Sequence, residues 1–98
     1  MNFEWDPKKD RINKNTHGIS FSTAKFVFND AERWERYDLS HSENEDRWQT
    51  LGLVDRVLFV VYTEQGETTR IISARMADEN EKKVYNGKRN TEGWTKAN

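Results

Sequence analysis

Apolar residues occur along the chain in short groups, and their spacing sorts them into elements. At Trp5-Asp6-Pro7, Asp6 suits an N-cap and Pro7 the first helical position. The pattern predicts a helix to about Thr16, stopped at His17-Gly18, where glycine accepts a left-handed turn. Ile12 is its only aliphatic residue, so this helix should lie on the surface, pinned by Ile12, Phe3 and Trp5. Ser20 caps a second predicted helix over about 21–30, in which Phe21, Ala24, Val27 and Phe28 recur at helical spacing.

The pattern then shortens. Residues 33–37 read as a short strand, 38–46 (DLSHSENED) as a polar acidic loop, and 48–54 as a second strand. Residues 57–63 form a continuous β-branched and aromatic run, as expected of a central strand covered on both faces. Glu64-Gln65-Gly66 makes a tight turn into a fourth strand, 68–74. Asp78 caps a closing helix, with Asp78-x-x-Glu81 as a capping box, ending near Asn86-Gly87. The expected fold class is α+β: two N-terminal helices, an antiparallel β-meander of about four strands and a C-terminal helix. Residues 1–87 read as one domain; 88–98 (KRNTEGWTKAN) lack periodicity and read as a flexible tail, of which Trp94 could dock.

Composition narrows the function. The chain has 98 residues, enough for one modest core, with 34% apolar and 34% charged residues. Without cysteine there is no disulfide framework and no thiolate metal site. The polar N-terminus is unlike a signal peptide, and the longest apolar run is too short to cross a bilayer. The expectation is a soluble, cytoplasmic protein with no membrane contact. A net charge of −1 argues against a strongly basic nucleic-acid binder. It hides an asymmetry: residues 31–68 hold nine acids and four bases, whereas 69–98 hold seven bases and four acids.

Candidate chemistry is sparse. His17 and His41 stand outside any ligand-spaced motif, so no metal site is expected and 38–46 reads as a solvated acidic loop. The glycines form neither a phosphate-cradling loop nor a nucleophile elbow. Arg70 and Arg75 flank an apolar strand. Five residues apart, they point to opposite faces unless the chain bends after Ser73-Ala74. Arginine forks match phosphate, but strand-end arginines paired with local carboxylates are the plainer reading. Glu81, Tyr85 and Lys88 share a helical face that could set a carboxylate, a phenol and an ammonium beside Arg75. Glu81 closing its capping box and Tyr85 packing is again plainer. Lys9, Asn13 and His17 form a polar stripe on the first helix, a pattern met more often as a solvated face.

Taken together, these segments resemble the BrnT toxins. WDPKKDRINKNTHGISF is similar to that family's opening pattern W-D-x-x-K-x-x-x-N-x-x-K-H-G-[IV]-S-F. FVFND, the loop with His41 and Glu45, RWQTLG, VYTEQGETTRIISAR and the late E-K-K-V-Y follow in the family's order, over about residues 3–85. The resemblance implies a fold like RelE-type ribonucleases and metal-independent RNA cleavage without cofactors. It implies a hetero-oligomer with a ribbon-helix-helix, BrnA-like antitoxin, and DNA reached only through that antitoxin. By position it suggests His17, Arg70, Arg75, Glu81 and Tyr85 as catalytic and Lys9, Asn13, Ser73 and Lys88 as RNA-binding. Thr16 and Met76 depart from the pattern, standing where the family has basic residues. The rival reading is a non-catalytic module that only holds an antitoxin-like partner.

Overall fold

In the computed structural model, which describes residues 1–89 and 92–98, six strands among those residues form one mixed sheet. They are β1 (Asn2–Glu4), β2 (Trp34–Tyr37), β3 (Trp48–Val54), β4 (Arg56–Gln65), β5 (Thr68–Met76) and β6 (Thr95–Lys96). The order across the sheet is β1-β5-β4-β3-β2-β6; β1 runs parallel to β5 and the other neighbours are antiparallel.

This corrects the expected fold class of two N-terminal helices on a four-stranded antiparallel meander. The run β2 to β5 is extended at both edges, making the sheet six-stranded and mixed. The reason lies in the edges. A strand at a sheet edge presents unpaired N–H and C=O groups, and short segments fill them without any alternation of their own. β1 takes the edge of β5 that way, pairing Glu4 with Arg70. β6 takes the edge of β2, next to the buried Trp94. The part of the expected tail at residues 90 and 91 lies outside the described residues.

The second helix is corrected as well. α2 (Phe21–Ala24) is a single α-turn, and Lys25–Asn29 continue as a 3₁₀ turn. Val27 of that turn presses against Gly52 in β3; a Cβ on Gly52 would lie 2.7 Å from the Val27 Cβ. Glycine there lets the turn approach the sheet.

α1 (Pro7–His17) begins where its caps dictate: the Lys8 N–H donates to Asp6 Oδ1 at 2.8 Å. It ends at Gly18, whose φ of 75° suits glycine and whose N–H donates to Lys14 O. It carries one buried residue, Asn13. The Asn13 amide donates to Ile19 O (2.9 Å) and Ala74 O (2.8 Å) and accepts from the Ala74 N–H (3.1 Å). A polar side chain thus completes the β5 edge beyond β1 and binds the helix to it.

Both faces of the sheet are covered. Phe21, Ala24 and Val27 pack on Leu58, Val60 and Ile71 on one side. On the other, Val84 of α3 (Glu79–Tyr85), Ala77 and Trp94 pack on Trp34, Leu51 and Phe59. β4 feeds both layers, so its residues 57–62 are all apolar or aromatic.

One irregularity decides where side chains point. Val61 pairs with Ser73 but Tyr62 pairs with Ile71, leaving Ile72 as an extra residue in β5. This bulge reverses the alternation of the strand.

Candidate functional site

Because of the bulge, Arg70, Ser73 and Arg75 emerge on the same face as α3. Arg70 pairs with Thr63 and Arg75 with Phe59, alternating positions of one strand. The shared face comes from the extra Ile72 rather than from a bend after Ser73-Ala74, and each arginine pairs with a nearby carboxylate, Arg70 with Glu4 and Arg75 with Glu81. Measured along β4, the two arginines stand about 13 Å apart, with Ser73 between them.

Arg75 is built into a local frame. β5 ends at Met76, Asp78 caps α3, and the capping box is reciprocal: the Glu81 N–H donates to Asp78 Oδ1 and the Asp78 N–H to Glu81 Oε1, each at 2.8 Å. Both Glu81 oxygens then accept from Arg75, Oε1 from Nη1 at 2.8 Å and Oε2 from Nη2 at 3.0 Å. The hydrogen bond with Glu81 holds the guanidinium above its ordinary pKa, with further support from the charges of Glu81 and Asp78 and against a desolvation cost. The guanidinium lies 4.0 Å over the Phe59 ring, and Nη1 also donates to Met76 O. Glu81 therefore holds the end of the fork. The side-on edge, Nε–H with the second Nη2 proton, makes no hydrogen bond among the described residues, and the side chain remains 36% exposed. That edge matches two oxygens of a phosphate.

Register extends the site across the sheet. Arg36 pairs with Gln49, Gln49 with Val61, and Val61 with Ser73, so these four half-buried residues form one row on the α3 face. α3 and Trp94 cover the next row, Trp34-Leu51-Phe59, against which Val61 also packs, while Gln49 and Ser73 stay half-buried beyond them. Arg36 closes the β2 end: its Nε donates to Gln49 Oε1 at 2.7 Å and its guanidinium sits 4.3 Å over Trp94. On the far side of the strip, Arg70 faces Glu4 at 3.5 Å. Arginines thus stand at both ends of a strip of Gln49, Val61 and Ser73 about 14 Å wide, the span of four strands.

The other expected residues disperse. Asn13 is a buried structural clamp. Lys9 and His17 meet Ser73 only around the β5 edge, in a shallow depression of about 280 Å³ floored by Ile12 and Ile72. Lys88 is exposed beyond the end of α3. Tyr85 turns away from Arg75: its hydroxyl donates to Asp30 Oδ2 at 2.6 Å. Burial and this bond to a carboxylate push the phenol well above its ordinary pKa. Burial opposes ionisation of Asp30, but the bonds from Tyr85 and from the Leu53 and Glu32 N–H groups hold it below its ordinary 3.8. Tyr85→Phe is therefore expected to lose about 1 kcal/mol at neutral pH. The sign follows from linkage: a depressed carboxylate contributes above its unfolded pKa and loses that contribution as pH falls through the folded one. The gap between the two proteins should narrow below about pH 4. Urea titrations at pH 7 and pH 3 measure it.

Arg36 and Gln49 give no signal in the sequence, because nothing local links them to Ser73. Among the described residues no three His, Asp or Glu side chains are grouped to hold a metal ion. Among them, too, no helix is long and apolar enough to cross a membrane.

Comparison with known proteins adds one finding. The family described as "Ribonuclease toxin, BrnT, of type II toxin-antitoxin system" matches residues 5–81. A search of curated proteins finds no match.

Proposed function

Since the chain belongs to the BrnT family of ribonuclease toxins of type II toxin–antitoxin systems, we propose that its RNA substrate lies across the strip between Arg75 and Arg36. The observation that carries this is the state of Arg75. Glu81 fixes its orientation with two bonds and leaves the side-on edge of the fork open. A guanidinium held in place before substrate arrives stabilises charge building on phosphorus without reorganising. Ser73 and Gln49 offer hydrogen bonds along the floor; Arg70 and Arg36, paired with the exposed carboxylates of Glu4 and Glu92, would exchange those partners for neighbouring phosphates.

RNA carries its own nucleophile, the 2′-hydroxyl, so cleavage requires alignment, proton transfer and a counter-charge. We assign these tasks to side chains, without a metal. Glu81 acts through Arg75, as a positioning residue. Purified toxin is expected to cut RNA in the presence of a chelator; RNA left intact under those conditions, yet cut when a divalent cation is restored, would overturn metal independence.

As a type II toxin the protein has an antitoxin partner. The ribbon-helix-helix class of that antitoxin is part of this proposal and rests on the resemblance of the opening and β5 motifs. A protein that binds the antitoxin but never cuts RNA would instead be a binding module.

A further inference from the structure

Arg75 and Arg36 answer to phosphates, which are the same in every nucleotide. A cavity of about 180 Å³ lies beside them. Arg36 and Trp94 line it from the sheet and its covering segment, and Asp78, Asn80, Glu81 and Val84 line it from α3 and its cap. Two of these residues already serve the strip. Arg36 closes its β2 end, and Glu81 holds the guanidinium of Arg75 at 2.8 and 3.0 Å. The cavity is therefore next to the phosphate position proposed above.

We propose that this cavity receives the base of a nucleotide flanking the cut bond, and that the base is a pyrimidine. Three observations converge on it. The first is size. A protein cavity of about 150 Å³ takes one benzene ring. The space beside Arg36 thus has room for the single ring of a pyrimidine, and the fused rings of a purine fit it poorly.

The second is a flat surface fixed in advance. The Arg36 guanidinium lies 4.3 Å over the Trp94 ring, and Trp94 is 4% exposed. Its Nε donates to Gln49 Oε1 at 2.7 Å and its Nη1 to Glu92 Oε2 at 3.3 Å, so the plane is pinned along two edges. Bases splayed out of single-stranded RNA stack on aromatic rings and on guanidinium planes. Val84, 3% exposed, adds apolar contact.

The third is the chemistry of the rim. Asn80 is exposed, and its Oδ1 accepts from Arg89 Nη1 at 3.5 Å. That leaves its amide N–H groups without an acceptor among the described residues, free to donate to a ring carbonyl. Asp78 uses Oδ1 for the Glu81 N–H, and its Oδ2 has no donor among those residues. Cytosine and uracil each present a carbonyl oxygen and an N–H donor, which match an amide and a carboxylate. A second phosphate would instead meet the carboxylates of Asp78, Glu81 and Glu92, so the cavity suits a neutral ring.

The inference rests on the proposed ribonuclease reading, and one experiment separates the two. Oligoribonucleotides are made with each of the four bases, or an abasic residue, at the two positions joined by the cut bond. Wild-type protein and Asn80→Ala are compared on all of them, with thermal melts to confirm folding. At one of the two positions, wild type should cut the pyrimidine substrates about 10-fold or more faster in kcat/KM than the purine ones. Asn80→Ala should lose most of that preference, yet match wild type within about twofold on the substrate that is abasic there. Equal wild-type rates with all four bases at both positions, or faster cutting next to purines, overturn the pyrimidine pocket alone, whether or not the variant folds. So does a folded Asn80→Ala that keeps the full preference, or one that slows the abasic substrate as much as the others. Wild-type protein that cuts none of the substrates overturns the ribonuclease reading and this inference with it.

Discussion

Arg75→Ala is expected to lower RNA cleavage by about 100-fold or more, and to abolish growth arrest when the toxin is expressed without its antitoxin. The loss has two sources. The fork aimed at the phosphate disappears. Glu81, whose side chain is only 11% exposed, also loses the cation that meets both its oxygens. Breaking a buried pair costs several kcal/mol, but this arginine is partly in solvent, so about 1–2 kcal/mol is the expected loss of stability. The capping box keeps α3 in place meanwhile, because the Asp78 N–H still donates to Glu81. A folded but inactive protein is the expected outcome. Arg75→Lys sharpens the test: an ammonium keeps the charge but cannot serve Glu81 and a phosphate through two edges of one plane. Its activity should lie nearer the alanine variant than wild type. Wild-type cleavage rates in both variants would place the phosphate contact elsewhere.

Asn13→Leu is expected to cause the largest loss of stability, about 2–4 kcal/mol. Three bonds vanish, and the Ala74 N–H, Ala74 O and Ile19 O lose their partner. For a domain of this size each kcal/mol lowers Tm by roughly 4–8 °C, so a thermal melt reads the effect directly. Asn13→Asp is the sharper version. Its ionised carboxylate could still accept from the Ala74 N–H but has no proton for the two carbonyls. Burial beside carbonyl oxygens raises the pKa of such a group above its unfolded value, so the variant should regain stability as pH falls. Stability equal to wild type in both would show that the helix is held to β5 by its other contacts.

Particular residues show how far the site is legible in the sequence. Arg75, Asp78 and Glu81 lie within seven positions, and the capping-box spacing alone brings two of them together. Arg75 joins them because β5 ends one residue after it. Tyr85 illustrates the opposite case. Its spacing from Glu81 is a true helical neighbour relation, but its hydroxyl finds Asp30, 55 positions away. Asn13 reads as part of a polar stripe, and only the position of Ala74 shows that it is buried.

The N-cap at Asp6, the stop at Gly18, the doubly covered run of β4, the Asp78 capping box and the family motifs were determined by the sequence itself. Each rests on contacts within about one turn or on the burial period of one element. The tertiary structure decided which residues share a surface. Facing in a sheet depends on register between strands, and one extra residue reverses it. Ile72 is that residue: it turned Arg70 to the side of Arg75 and set Ser73 in line with Arg36, four strands' width away. The edges were decided in the same way, since the pairing groups that β1 and β6 satisfy exist only once β5 and β2 are in place.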